Sequence, residues 1–75
     1  MTIYDAQIAS TYLIDKINLT DQDMLNFLFT LGCYEEGKIT LINRKSNNVI
    51  IALKGARYNI DKKLANSIVV KEIKK

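Results

Sequence analysis

Apolar and polar residues alternate through most of the second half of the chain. Residues 38–44 (KITLINR) place Ile39 and Leu41 on one face and Lys38, Thr40, Ile42 and Arg44 on the other. Residues 49–53 (VIIAL) bring Val49, Ile51 and Leu53 together, and residues 56–60 turn Ala56, Tyr58 and Ile60 inward with Arg57 and Asn59 outward. Residues 68–70 repeat the pattern with Ile68 and Val70. A period of two marks a strand buried on one face of a sheet. Residues 11–17 (TYLIDKI) alternate more loosely and read as an earlier strand. Turn signals separate the strands: Ser46–Asn47–Asn48, then Lys54–Gly55. Asp61 is placed to cap a single helical turn reaching Asn66.

One segment follows a helical period instead. Thr20–Asp21–Gln22–Asp23 approximates a capping box, so Thr20 is the expected start of a helix running to about Leu31. Asp21 and Asp23 suit the positive end of the helix dipole. Gly32 fits the residue that ends the helix with a positive φ. On a helical wheel Met24, Leu25, Phe27, Leu28, Phe29 and Leu31 span an arc of about 200°, wider than the roughly 100° stripe a surface helix needs to reach a core. Leu28 and Leu31 lie near the centre of that arc. Phe27 and Phe29 lie at its edges and are expected to be partly exposed, as residues of a partner or self-association surface are. The turn after the helix, Cys33–Tyr34–Glu35–Glu36, closes on Gly37.

These elements predict an all-β fold with one short helix. The expected architecture is a small SH3-like barrel of about five strands, because a short antiparallel sheet must curl to bury one face and shield its edges. Residues 1–75 form a single domain on this reading, close to the lower size limit for a self-sufficient core.

Composition narrows the chemistry. The chain has no His, no Trp, no Pro and one Cys. The commonest acid–base group and metal ligand is therefore absent, and no internal disulfide can form. No nucleophile–base pair or phosphate-binding loop occurs, so no enzyme activity, no small-molecule substrate and no cofactor is expected. The start, MTIYDAQIAS, lacks the basic and apolar regions of a signal peptide, and no apolar run is long enough to span a bilayer. A cytoplasmic location is expected.

Charge is unevenly divided. Residues 1–37 carry net −5 and residues 38–75 net +8, giving +3 in total. Such a split raises the alternative of a small nucleic-acid-binding barrel that tracks phosphates with Lys45, Lys54, Lys62 and Lys63. Binders of that kind interleave aromatic residues for base stacking. Only Tyr58 lies in the basic half, and its alternation points inward. Folding into a barrel also sets strands from both halves side by side, which leaves a local basic surface rather than two charged halves.

The ordered glycines carry a resemblance. Leu28–Phe29–Thr30–Leu31–Gly32–Cys33–Tyr34–Glu35–Glu36–Gly37–Lys38–Ile39 resembles the FeoA-domain pattern of Leu, two residues, Leu or Met, Gly, an apolar residue and a second Gly before a strand. Gly55, then Tyr58, Asn59 and Ile60, then Ala65, Ile68 and Val70 continue it, and Ile3–Tyr4–Asp5 is similar to the family's opening segment. Phe27, Glu36, Asp61 and Leu64 depart from residues common in the family. The resemblance implies an SH3-like barrel and a small cytoplasmic accessory of ferrous iron uptake. Its implied partner is the cytoplasmic part of the FeoB membrane transporter, which would recruit it to the inner membrane face.

The contact residues expected are Phe27, Phe29 and Tyr34; Gly32, Gly37 and Gly55 are expected to be structural turns, and a homo-oligomer is a further possible assembly. Cys33 reads as a buried structural thiol, since no second Cys or His accompanies it. Asp21, Asp23, Glu35 and Glu36 suit a hard cation by type, but capping and turn chemistry accounts for each, and no metal site is assigned. Arg44 and Arg57 read as solvated outward strand residues rather than as an arginine finger.

Overall fold

Strand β1 (Ser10–Ile17) is followed by helix α1 (Gln22–Leu31), then by strands β2 (Lys38–Arg44), β3 (Asn48–Leu53) and β4 (Ala56–Asp61). A short helix α2 (Lys62–Ser67) leads into β5 (Ile68–Lys71), and a single 3-10 turn at Ile3–Asp5 precedes β1. The computed structural model describes residues 1–73. The charged C-terminal run, residues 71–75, reads from the sequence as prone to fray; residues 74–75 lie outside the described residues, while Lys71 belongs to β5.

The strands form one antiparallel sheet in the order β4-β3-β2-β1-β5. Its inner face is the alternating set read from the sequence: Ile39 and Leu41, Val49, Ile51 and Leu53, Ile60, Ile68 and Val70 are all buried. Ile14, Leu28, Cys33 and Ala65 complete the cluster with Ile3, Ala6 and Tyr12. Burial of each large aliphatic side chain stabilises the fold by roughly 1.5–3 kcal/mol. Tyr58 is half-buried and packs against the cluster, as its alternation predicts. The register shifts in β1 between Ile14 and Lys16, and in β2 between Leu41 and Asn43. Such bulges bend and twist a strand, and here they let both strands serve the two sides of a curled sheet. The bulge in β1 also explains its loose alternation.

Lys54 and Gly55 both have positive φ, 51° and 82°. That pair of left-handed residues makes a two-residue hairpin turn whose twist matches the flanking strands. Lys54 adopts the rarer conformation for a residue with a side chain.

Three local readings are corrected. The N-cap of α1 is Asp21, not Thr20: the Asp21 carboxylate accepts hydrogen bonds from the Asp23 and Met24 N–H groups, at 3.0 and 3.2 Å. Both residue types cap helices, and the one whose oxygen reaches the free N–H groups wins. The single turn after Asp61 is a six-residue helix, with the Asp61 carboxylate accepting from Leu64 N–H at 2.7 Å. Arg44 is exposed but not merely solvated. Its Nη1 donates to the carbonyls of Tyr4 and Ala6, at 3.1 and 2.7 Å, and ties the N-terminal segment to the end of β2.

The charge halves interleave. Lys71, from the basic half, donates to Glu36 at 2.7 Å and lies 3.9 Å from Asp15, both from the acidic half. The hydrogen bond to Glu36 raises the Lys71 pKa above its ordinary value.

Candidate protein-interaction surface

Helix α1 fully buries only one side chain, Leu28, which is 0% exposed. Leu25 and Leu31 are half-buried. The flanks of the apolar arc remain in water: Phe27 is 54% exposed and Phe29 64%. A helix with so wide an apolar arc and so narrow a contact with the core leaves unpartnered aromatic area, the kind of surface that marks interaction sites.

The C-terminus of α1 sets the geometry of this surface. Gly32 has φ 95°, and its N–H reaches the carbonyls of Leu28 and Phe29. The chain then reverses, and Cys33 N–H donates to Leu28 O at 2.9 Å. This reversal drops Cys33 into the core and lifts Tyr34 beside the helix. The Tyr34 ring lies 5.2 Å from that of Phe29, tilted by 43°. Lys54, from the β3–β4 turn, holds its Nζ over the other part of the same surface, 5.4 Å from the Tyr34 ring centre. Cation and ring attract through the ring quadrupole. The following turn is closed by Gly37 N–H donating to Tyr34 O at 2.9 Å, and its left-handed residue is Glu36, φ 70°. Gly37 leaves little room: a Cβ there would come within 3.0 and 3.2 Å of the Tyr34 and Gly32 carbonyls, so the turn would have to give by a few tenths of an ångström.

Phe29 and Tyr34 thus both line an open groove of ≈ 360 Å³, together with Ile17, Leu25, Cys33 and Glu35. Phe27 belongs elsewhere. It points along the Met24 side of α1 and does not line that groove. The three residues expected from the sequence therefore divide into a joined pair and a separate flank. Lys54 and Ile17 were missed as parts of this surface. Neither carries a local signal, since each arrives from a distant strand end.

Cys33 lines the groove but is buried and inert in kind. Burial pushes its thiol pKa up to about 11, so almost none is thiolate at neutral pH. Of the acids weighed as cation ligands, Asp21 caps α1 and Glu36 pairs with Lys71. Among the described residues no three His, Cys, Asp or Glu side chains gather as a metal cluster.

The FeoA-domain family model matches residues 1–72. The chain belongs to the FeoA-domain family. No curated protein matches it in sequence. Several solved structures share its fold. An iron uptake regulatory protein, FeoA, superposes with a TM-score of 0.85 at 19% identity, covering 97% of both chains. The zinc complex of Stenotrophomonas maltophilia FeoA, described as an SH3 domain protein and a candidate activating factor of ferrous iron transport, gives 0.80 at 12% identity, over 95% of this chain and 89% of that one. A manganese-dependent transcriptional repressor gives 0.85 at 16% identity over 97% of this chain but only 41% of its own. The FeoA fold is thus an SH3-like, mostly β domain with five antiparallel strands and two helices. The family is related to accessory proteins of ferrous iron transport. No helix of the described residues is long and apolar enough to cross a membrane.

Proposed function

We propose that this FeoA-family chain is a non-catalytic docking module of ferrous iron uptake, and that it binds the cytoplasmic part of the FeoB transporter through α1 and the turn after it. The observation that carries the reading is the exposed aromatic surface of α1. Phe29 and Tyr34 are paired over an open groove, and Phe27 stands free on the adjoining flank. Aromatic side chains, Phe and Tyr among them, are enriched at the cores of protein interfaces. The Gly32 reversal sets Tyr34 beside the helix, where its ring meets Phe29 and the Lys54 ammonium. Docking would act on the transporter by holding one arrangement of its cytoplasmic part. On this reading the protein works in the cytoplasm and reaches the membrane through its partner.

The nucleic-acid alternative finds less support. Lys54 and Lys62 lie over the Tyr34 and Tyr4 rings, and Tyr58 is half-buried. The basic hairpins therefore offer no free ring for base stacking.

Titration of the purified cytoplasmic part of FeoB with this protein tests the proposal. Phe29→Ser and Phe27→Ser should each weaken binding by at least about tenfold while leaving the far-UV spectrum folded. Undiminished binding by both variants, or no binding by the native chain, sinks it. Gel shifts with RNA or DNA that weaken steeply with salt would favour the alternative.

A further inference from the structure

The two edge strands of the sheet are treated differently. At the β5 edge the N-terminal segment supplies a partner: Val70 N–H donates to Met1 O at 2.8 Å, and Thr2 bridges Val69. Among the described residues the β4 edge has no such cover. Its hydrogen-bonding phase follows from one contact, Lys62 N–H donating to Asn47 O at 2.8 Å. In an antiparallel ladder only alternate pairs exchange hydrogen bonds. Counting from Asn47 and Lys62, the bonded pairs are Val49 with Ile60, Ile51 with Tyr58, and Leu53 with Ala56. Arg57 and Asn59 must then aim both their N–H and C=O groups away from β3, and Asp61 its N–H. Among the described residues no backbone hydrogen bond outside the ladders reaches any of these groups, and none comes from α1. The side chains of Arg57, Asn59 and Asp61 are exposed beside them.

We propose that β4 is a self-association edge, on which a second copy of this chain adds its own β4 antiparallel about a two-fold axis through Asn59. An open row of backbone donors and acceptors is a template for another strand. What selects a second copy is the charge order of the strand, Arg57–Tyr58–Asn59–Ile60–Asp61. With the axis at Asn59, Arg57 of each copy faces Asp61 of the other. Asn59 exchanges its N–H and C=O with its symmetry mate, and each Asp61 N–H reaches the Arg57 carbonyl across the axis. Directly opposed unlike charges stabilise a strand pair, and like charges destabilise it. Moving the axis to Tyr58 sets Arg57 against Asn59 and loses the charge pairs. A parallel pairing sets Arg57 near Arg57. The antiparallel Asn59 register is the one the side chains favour. The assembly is isologous and closes at two copies.

Sedimentation equilibrium of the native chain from micromolar to millimolar concentration tests this. The expected result is a reversible monomer–dimer equilibrium, weakened by salt. Asn59→Pro removes an outward N–H that no backbone bond among the described residues uses, together with the side-chain bond that Asn48 Nδ2 donates to Asn59 Oδ1, and Pro is tolerated on that side of an edge strand. It should abolish the dimer and leave the spectrum folded. Arg57→Glu, on an exposed side chain, guards against a folding defect in the first variant. It should weaken the dimer by about tenfold, since it turns both charge pairs repulsive. Amide exchange at Asn59 and Asp61 should slow as protein concentration rises. A native chain that stays monomeric at millimolar concentration overturns the proposal. So does a dimer insensitive to both variants, or one dissolved by Phe27→Ser, which would place the contact on α1.

Discussion

The Cγ of Lys54 occupies the space a side chain on Gly32 would need: a Cβ built there falls 2.5 Å from it. Two loops far apart in sequence are packed this closely because Gly32 has nothing but hydrogen on that side. Its φ of 95° adds a second reason for glycine. Gly32→Ala should therefore cost about 1–2 kcal/mol from the left-handed backbone alone, with more from the contact. Lys54 is flexible, so Lys54→Ala in the same chain should recover part of the loss. A double-mutant cycle in urea measures it. Strict additivity would show that the contact contributes nothing.

Neighbouring residues on α1 should respond in opposite ways. Leu28 is fully buried, and Leu28→Ala should cost about 2–5 kcal/mol as a cavity opens under the helix. Phe27 is more than half exposed, and Phe27→Ser should change stability by no more than about 0.5 kcal/mol. Comparable losses in the two denaturation midpoints would mean that Phe27 is part of the core.

Cys33 gives the chain an alkaline sensitivity. Its thiol titrates near 9.0 when unfolded and at about 11 in the native state, because burial disfavours the thiolate. The unfolded chain loses this proton first. The stabilisation is complete below pH 9.0 and falls as pH rises towards about 11, a contribution of order 2 kcal/mol. Cys33→Val should flatten that part of the stability–pH curve. Iodoacetamide at neutral pH should label native Cys33 far more slowly than the unfolded chain; equal rates would contradict its burial.

Arg44→Ala should loosen the N-terminal segment rather than the sheet. The guanidinium bonds to two carbonyls of that segment, Tyr4 and Ala6. Its loss should cost about 1–2 kcal/mol, discounted for exposure from the usual value of charged hydrogen bonds. Amide exchange should quicken at residues 3–6 and stay unchanged in β3 and β4. Uniform acceleration across the chain would argue for a global role.

The strands were readable because a half-buried strand writes its burial directly into alternate positions. Ile39 and Leu41, or Val49, Ile51 and Leu53, could face only one way without placing aliphatic groups in water. The exposed aromatic surface of α1 was readable only in outline. The width of the apolar arc exposed Phe27 and Phe29, but the wheel cannot show that Phe29 joins Tyr34 while Phe27 stands apart. That separation follows from where Gly32 reverses the chain. The helix is capped by Asp21 rather than Thr20 for the same kind of reason. Two adjacent capping residues compete, and the backbone geometry of the turn decides between them.

The sequence by itself determined the strand faces, the one long amphipathic helix, the glycine-ended turns and the family, since each rests on local periodicity or ordered spacing. The tertiary structure alone decided which charges meet and which edges stay open. Lys71 finds Glu36 and Asp15, Lys54 finds Tyr34, and Arg44 finds the carbonyls of Tyr4 and Ala6. These are contacts between long polar side chains and distant backbone. Their partners are set by how the curled sheet brings strand ends together, which no local pattern encodes.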